Sequence, residues 1–241
     1  WGVGRQLSRW CRLRGVATAL QLRDMASGEL RAKAGVVGVR LQLELRGVSC
    51  LPLEQAANAK QETCVSRSFS RPITSASELR QAVASYVVRA AEKLRRQQQR
   101  AGRLTVFART SPFVAGFYSQ AASIALPLAS NDTNVLLQAA LPLVERIYRP
   151  HQRFAKAGVL LQELQPDALL QQHLLAPLPA EQQQKREALM QSIDRLNRRY
   201  GSGTVQWAAC GLEPAWSMRR RQLSRAATTR ISDLPTVWAG P

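Results

Sequence analysis

The sequence predicts an α+β protein whose central part follows the order β-α-β-β-α-β around one four-stranded sheet. Two observations favour this class. The first is a set of short segments with strand-like patterns, at residues 62–69, 102–110, 119–128 and 156–164. The second is the helical spacing of apolar residues between them, at 79–94 and 136–147. A small helical module precedes this part, and a short mixed domain follows it.

Composition shifts divide the chain into five parts. These are a helical module at 1–47, a linker at 48–59, the sheet domain at 60–165, a Gln-, Leu- and Pro-rich linker at 166–187, and a C-terminal domain at 188–241. The hydrophobic fraction of 45% is enough for each folded part to bury a core. Because the chain opens on Trp1 with no initiator Met, we expect it to be cut from something longer.

In the first module, a glycine turn at 2–4 opens a helix that stops at Gly15. Thr18 with Gln21 three residues later has the form of a capping box, which predicts a second helix start. The stretch 37–45 stays open. Its apolar residues alternate as in a strand, but their spacing by four also suits a helix face.

In the sheet domain, two local signals mark the starts of the two helices. Ser75 with Glu78 has capping-box spacing, and Asn131 or Asp132 can cap the second helix. Pro142 falls inside that second helix, where proline typically costs about 3 kcal/mol and kinks the chain.

The net charge indicates a polyanionic partner. Thirty-four Lys and Arg against 16 Asp and Glu give a formal charge of +18. Such an excess repels itself in a compact chain, and a polyanion relieves the repulsion. Nucleic acid is the first candidate; an anionic membrane surface is the weaker second, since no apolar run approaches the about 20 residues of a spanning helix. A basic, merely soluble surface is the remaining alternative.

Residues for metal or catalytic chemistry are sparse. The cysteines and histidines lack the close pairs that a zinc site needs: they are Cys11, Cys50, Cys64, Cys210, His151 and His173. Without a disulfide framework, the chain fits the reducing cytoplasm. The five aspartates are isolated, and no phosphate-loop, nucleophile-elbow or zinc-protease motif occurs. We therefore predict no catalytic residue and no metal or cofactor in this chain.

Two groups of residues are candidates for holding phosphates. The turn Gly2-Val3-Gly4 opens a helix, so its backbone N–H groups can face an anion, and Arg5 follows at once. A plain helix-entry turn is the alternative. The second group lies on predicted strands and comprises Ser66, Arg67, Ser68, Arg103 and Arg109. On adjacent strands these side chains would line a track for DNA phosphates without reading bases. A solvated outer sheet face is the alternative there.

Several motifs, in this order, resemble the C-terminal part of UmuC-type Y-family translesion DNA polymerases. The motifs are Trp1-Gly2-Val3-Gly4, Gly15-Val16-Ala17-Thr18, Lys60-Gln61-Glu62, Ser66-Arg67-Ser68-Phe69, Thr110-Ser111-Pro112-Phe113, Lys156-Ala157-Gly158-Val159, Gly201-Ser202-Gly203-Thr204 and Trp216-Ser217-Met218-Arg219-Arg220. The resemblance implies a helix-hairpin-helix thumb at 1–47, a little-finger domain at 60–165 and a UmuC-type C-terminal domain at 188–241. It also implies that 37–45 is helical.

The resemblance implies a DNA-gripping part of an error-prone polymerase that acts in SOS DNA repair and damage tolerance in the cytoplasm. The full-length parent would be a DNA-directed DNA polymerase with Mg²⁺ on palm carboxylates that are absent here, so this chain should be inactive alone. The implied partners are primer–template DNA, a UmuD-type dimer, RecA and the sliding clamp.

A clamp-binding peptide, usually Gln-Leu-x-Leu-Phe, is expected after the little finger. Gln171, Leu174 and Leu175 fit it in part, but the Phe is missing, so a linker with spare leucines is the alternative. The tail also departs from the family pattern, with Arg225-Ala226-Ala227 where Pro-Arg-Tyr is expected. A function of another class remains open, namely a stand-alone structural or RNA-binding module that uses the same basic sheet.

Overall fold

The computed structural model describes residues 1–53, 60–167, 180–212, 216 and 224–237. The chain divides into two compact units, Trp1–Ala59 and Lys60–Pro241. Among the described helices, none is both long and apolar enough to cross a membrane.

The first unit contains three helices, α1 (Arg5–Arg12), α2 (Ala19–Asp24) and α3 (Ser27–Leu45). The stretch 37–45 is therefore helical, as the resemblance implies, and the strand alternative is wrong. The reason is burial: the residues of α3 that lie fully inside are Leu30, Gly38 and Gln42, whose spacing follows a helix face. Gly35, with a φ of 62°, interrupts the helical geometry within α3.

The core of the first unit is small and is completed by one buried polar side chain. Cys11, Leu22 and Leu30 form the buried cluster. Beside them, the Gln42 amide donates to the backbone oxygens of Leu22 at 3.2 Å and Met25 at 2.6 Å. Because its hydrogen-bonding groups are satisfied, Gln42 can tie α2 to α3 without a desolvation penalty.

The capping box predicted for α2 is confirmed. The hydroxyl of Thr18 accepts from the backbone N–H of Gln21 at 3.2 Å, and the Gln21 side chain accepts from the N–H of Thr18 at 3.0 Å. Two of the N–H groups left open at the helix start are thereby satisfied.

The second unit has the predicted element order and confirms the α+β class. Its elements are β1 (Thr63–Ile73), α4 (Ala76–Arg96), β2 (Gln99–Thr110), β3 (Ser119–Ser130), α5 (Thr133–Ile147), β4 (Phe154–Pro166) and α6 (Ala180–Tyr200), followed by 3-10 turns at Ala208–Cys210 and Ile231–Asp233. The four strands form one sheet in the order β1-β4-β2-β3. All three strand pairs are antiparallel.

Helices α4 and α5 cover one face of the sheet. The largest completely buried side chains of this layer are Ile73, Leu79, Val83, Val87, Leu94, Leu104, Leu136, Ile147, Phe154 and Leu161. Along β2 the buried residues alternate with partly exposed ones, since successive side chains point to opposite faces. The alternate residues of all four strands therefore form a second face, called here the open face, on which none of the described helices packs.

Two local expectations for the sheet domain are corrected or refined. The capping box at Ser75 is wrong: Ser75 makes no side-chain cap, its hydroxyl lies 2.7 Å from that of Ser77, and Glu78 pairs with Arg71 instead. A nearby guanidinium is a stronger partner for the carboxylate than a backbone N–H. Asp132 caps α5 as predicted, accepting from the N–H of Asn134 at 2.8 Å.

The segment 166–187 was expected to be a linker, but α6 begins at Ala180 inside it. The Gln, Lys, Arg and Glu residues at the start of α6 have high helix propensity. In addition, the Glu187 carboxylate pairs with the Arg100 guanidinium at 2.9 Å. The remainder of the segment, 168–179, lies outside the described residues.

Candidate nucleic-acid interface

A basic row crosses the open face at one end of the sheet. Strand pairing places Ser68 of β1 opposite Lys156 of β4, Lys156 opposite Arg109 of β2, and Arg109 opposite Ser119 of β3. These four residues share a face because directly paired residues in antiparallel strands point the same way. Neither cation forms a salt bridge within the described ranges. We call this set the basic row.

The next row of the open face carries no charge and is closely packed at its centre. It contains Ser66, Gly158, Phe107 and Ala121 in register. A Cβ atom on Gly158 would stand only 2.5 Å from the Phe107 ring and 2.5 Å from the Ser66 Cβ. The ring of Phe107 therefore lies against the Gly158 backbone, where only glycine leaves it room.

Beyond Phe107 the face carries polar, uncharged groups and one paired cation. The hydroxyls of Thr105 and Ser123 lie 2.8 Å apart. Arg103 donates from Nε to a carboxylate oxygen of Glu163 at 2.7 Å, and both side chains are about half exposed. An ion pair in such an exposed position is weak, but it reduces the positive potential that Arg103 offers to an anion.

The structure brings together only some of the strand residues proposed from the sequence. Ser66, Ser68, Arg103 and Arg109 share the open face, but Arg67 does not. Arg67 pairs with Ala157, which is fully buried beneath the helices. A run of consecutive strand residues cannot line one face, because side chains alternate.

The pKa of Tyr86 also relates Arg67 to the face of the sheet that the helices cover. Burial raises the pKa of the Tyr86 phenol on α4, and the positive charge of Arg67 lowers that pKa only in part. This effect agrees with the strand register, which places Arg67 on the side of the sheet that α4 covers.

The predicted adjacency of the first two strands is also corrected. β4 lies between β1 and β2, so a strand of the second βαβ unit separates the two strands of the first, as in a split βαβ arrangement. This insertion supplies Lys156, which the sequence reasoning did not select as a site residue. Its alternation with Gly158 and Leu160 along β4 was the available signal, but it becomes useful only once the strand order is known.

The glycine turn of the first unit leads into α1 as expected. Gly2 has a φ of 79°, a left-handed conformation that favours glycine, and Gly4 occupies the N-cap without a side-chain cap. Val3 is 41% exposed. The backbone N–H groups of the first turn, beginning at Arg5, have no acceptor within the helix and can therefore donate to a partner outside it.

Two further arginines accompany this turn. Arg5, Arg9 and Arg12 are exposed on α1 at helical spacing and line a shallow depression with Ser8. The sequence reasoning named only Arg5; the spacing by four and three was the signal for the others. The clamp-peptide residues Gln171, Leu174 and Leu175 lie outside the described residues.

Within the described ranges, no three His, Cys, Asp or Glu residues are grouped so that they could hold a metal ion.

Two families match separate parts of the chain. Residues 60–174 match the impB/mucB/samB family C-terminal domain, and residues 187–237 match a domain of unknown function, DUF4113.

Curated relatives match nearly the whole chain. Protein UmuC of Salmonella typhimurium is 38% identical over 239 residues, covering 97% of this chain and 56% of the relative. Protein ImpB of the same organism is 38% identical over 242 residues, covering 100% and 56%. Protein MucB of Escherichia coli is 35% identical over 237 residues, covering 98% and 55%.

These matches define the class: the sheet domain is an impB/mucB/samB C-terminal domain followed by a DUF4113 module. The chain as a whole corresponds to the C-terminal part of a UmuC-type protein, which confirms the resemblance drawn from its motifs. It spans about half the length of the curated relatives it matches.

Proposed function

We propose that this chain holds primer–template DNA, through backbone phosphates, for an error-prone polymerase of the UmuC type that acts in DNA damage tolerance. The observation that supports this most is the basic row, in which Arg109 and Lys156 stand side by side on the face of the sheet that none of the described helices covers. The two cations are flanked by the hydroxyls of Ser68 and Ser119, which can donate to phosphate oxygens.

The composition of the open face favours binding without sequence preference. Apart from Arg103 and the basic row, the strand residues on it are mainly small, hydroxyl-bearing or apolar, and such a surface offers few fixed donor and acceptor patterns for base edges. A polymerase part that must tolerate any template requires this property. The charge of +18 supplies the long-range attraction.

The first unit supports the same function independently. The start of α1 and its exposed stripe Arg5, Arg9 and Arg12 offer backbone N–H groups and guanidinium groups to phosphates. By resemblance this unit is the thumb and the sheet domain the little finger. A UmuD-type dimer, RecA and the sliding clamp are further partners that the resemblance implies.

The test is a salt titration of DNA binding. Arg109→Ala and Lys156→Ala should each weaken binding to a labelled primer–template and lower the slope of log affinity against log salt by about one unit, because each removes one phosphate contact. Arg103→Ala should lower the slope less, since Glu163 already pairs with Arg103. Fluorescence anisotropy at several salt concentrations measures all three.

Lys93→Ala is the matched control, because Lys93 is an exposed cation on α4, in the layer behind the sheet. Its slope should equal that of the parent protein. If Arg109→Ala and Lys156→Ala also keep the parent slope, the open face does not hold the phosphates.

A stand-alone RNA-binding module is the second candidate. Duplex RNA and primer–template DNA of equal length should be compared at one salt concentration, and a clear RNA preference would contradict the polymerase assignment. With Mg²⁺ and deoxynucleotides we expect no primer extension by this chain.

A further inference from the structure

The residues after the sheet domain pack on its helical side at three separate places. We define the C-terminal module as the described residues 180–212 and 216, most of which fall in the match to a domain of unknown function. We propose that this module is an intramolecular buttress: it docks on α4, α5 and the end of β1, holds them in place, and leaves the open face uncovered. The inference goes beyond DNA binding and does not depend on it.

The first anchor is a largely shielded ion pair between α4 and α6. Arg95 donates from Nε and Nη2 to the two carboxylate oxygens of Asp194, both at 2.7 Å. Its Nη1 donates to the backbone oxygen of Asn131 at 2.7 Å and to the Thr133 hydroxyl at 2.9 Å. The side chains are only 10% and 18% exposed, so separating them would leave the guanidinium of Arg95 with neutral acceptors only, in a site largely shielded from water.

A second pair and an apolar contact extend this anchor along α6. Arg100 binds Glu187 of α6 at 2.9 Å and also pairs with Asp167. Burial acts to lower the pKa of Arg100, but the hydrogen bonds and charges of Asp167 and Glu187 raise it overall. Met190 of α6 is 2% exposed. A helix with few apolar residues is thus held by both charge and packing.

The second anchor is the 3-10 turn Ala208–Cys210. The Trp207 indole N–H donates to the side-chain oxygen of Asn134 on α5 at 2.8 Å. Cys210 is 6% exposed and belongs to the same core cluster as α4 and α5. Next to it, a Cβ atom on Gly211 would meet the Gln81 side chain of α4 at 2.9 Å. The turn therefore lies directly against the helical layer.

The third anchor is Trp216, which lies between β1 and α4. Trp216 is 7% exposed, and its ring packs edge-on against Phe69 of β1 and Tyr86 of α4, with centroid distances of 6.2 and 5.9 Å. Its backbone oxygen accepts from the N–H of Ser70 at 3.3 Å. Ser70 lies in the stretch between Ser68 and Ile73, where the pairing of β1 with β4 is interrupted.

These contacts give the module a mechanical role. β1 is an edge strand, and between Ser68 and Ile73 it lacks regular pairing with β4. Trp216 supplies both a hydrogen-bond acceptor and an aromatic contact to that stretch. Local unfolding of an edge strand becomes less frequent when another segment packs on it and hydrogen-bonds to it. The module therefore stabilises the end of β1 that carries Ser68.

The test is hydrogen–deuterium exchange of the full chain without DNA, read by mass spectrometry. Trp216→Ala should make the backbone amides of 68–71 and 73 exchange about tenfold faster or more, because the strand end loses its cover; Pro72 has no amide proton. Trp1→Ala, which removes a fully exposed tryptophan, should leave that exchange unchanged. If Trp216→Ala unfolds the whole domain, Trp216→Phe gives the same test with a smaller expected change.

The ion pair is tested in α6. Asp194→Asn should speed exchange along α6, whereas Glu181→Gln, which breaks an exposed pair with Lys185 on the same helix, should not. Replacing both Arg95 and Asp194 by Met should restore much of the protection, since no buried charge is then left alone.

Two results would overturn the proposal. One is that α6 of the parent protein exchanges as fast as an isolated helix. The other is that 68–73 and α6 keep parent exchange rates in Trp216→Ala and Asp194→Asn. Because no nucleic acid is present, either result is independent of the salt titration of DNA binding.

Discussion

At the centre of the open face, Gly158 lies between the Phe107 ring and Ser66 with no space for a side chain. The ring of Phe107 therefore covers the Gly158 backbone in the middle of the face, beside the basic row. Arg67 follows Ser66 directly along β1, so its side chain belongs to the other face of the sheet, because successive strand side chains alternate. Single residues thus decide both the shape of the open face and which cations reach it.

Gly158→Ala should destabilise the second unit by about 1–3 kcal/mol, because the new methyl group displaces Phe107 or Ser66 in a packed row. Thermal or urea unfolding followed by circular dichroism measures the loss.

Gly28→Ala is its control. Gly28 lies in the first turn of α3 with open space around its Cβ position, so alanine there should be neutral or stabilising by up to about 1 kcal/mol. A Gly158→Ala variant as stable as the parent protein would show that the row tolerates a side chain.

At the scale of elements, α5 contains a proline and still runs from Thr133 to Ile147. Pro142 is exposed, whereas Leu143 and Val144 beside it are buried in the sheet domain core. Packing of the apolar face therefore maintains the helix although Pro142 cannot donate to the preceding turn.

Pro142→Ala should raise the free energy of unfolding by up to about 3 kcal/mol, since alanine restores a helix hydrogen bond and relieves a clash. The urea midpoint should rise with an unchanged slope.

Pro72→Ala is the matched control, because Pro72 lies in the part of β1 that does not pair with β4. That variant should be neutral or slightly less stable, through greater freedom of the unfolded chain. A fall in stability for Pro142→Ala would mean that the backbone geometry imposed by Pro142 is itself needed for packing.

At the scale of the whole molecule, two buried acidic groups link stability to pH. Burial raises the pKa of the Cys210 thiol above its ordinary value of 9.0. Burial likewise raises the pKa of the Tyr86 phenol above 10.0. Both groups stand where the C-terminal module meets α4, so the folded protein keeps their protons after the unfolded chain has released them.

The sign follows from linkage. Above pH 9.0 the unfolded chain binds fewer protons than the folded protein, so stability should be complete below that pH and fall as the pH rises further. Urea midpoints between pH 7 and 11 measure this loss.

Cys210→Ala and Tyr86→Phe should each flatten the alkaline decline. Tyr86→Phe should cost little at pH 7, because the phenol has no hydrogen-bond partner among the described residues. An alkaline decline that is equally steep in both variants would locate the sensitivity elsewhere.

Part of the fold was predictable because its signals are local. The capping box at Thr18 and the Asp132 cap depend on residues two or three positions apart, and both are present. The element order followed from apolar spacing. The capping box expected at Ser75 is absent because the Glu78 carboxylate, which the box requires, pairs instead with Arg71, a residue outside the sequence pattern.

The sequence by itself determined the charge of +18, the order of helices and strands, the glycine turn and the family motifs, since composition and short-range spacing depend only on neighbours along the chain. Only the tertiary structure decided which cations stand together. Inserting β4 between β1 and β2 joined Lys156 to Arg109 and Ser68, and the alternation of strand side chains removed Arg67 from them. Pairing between strands that are distant in sequence leaves no local signal, because register is set by contacts across the sheet.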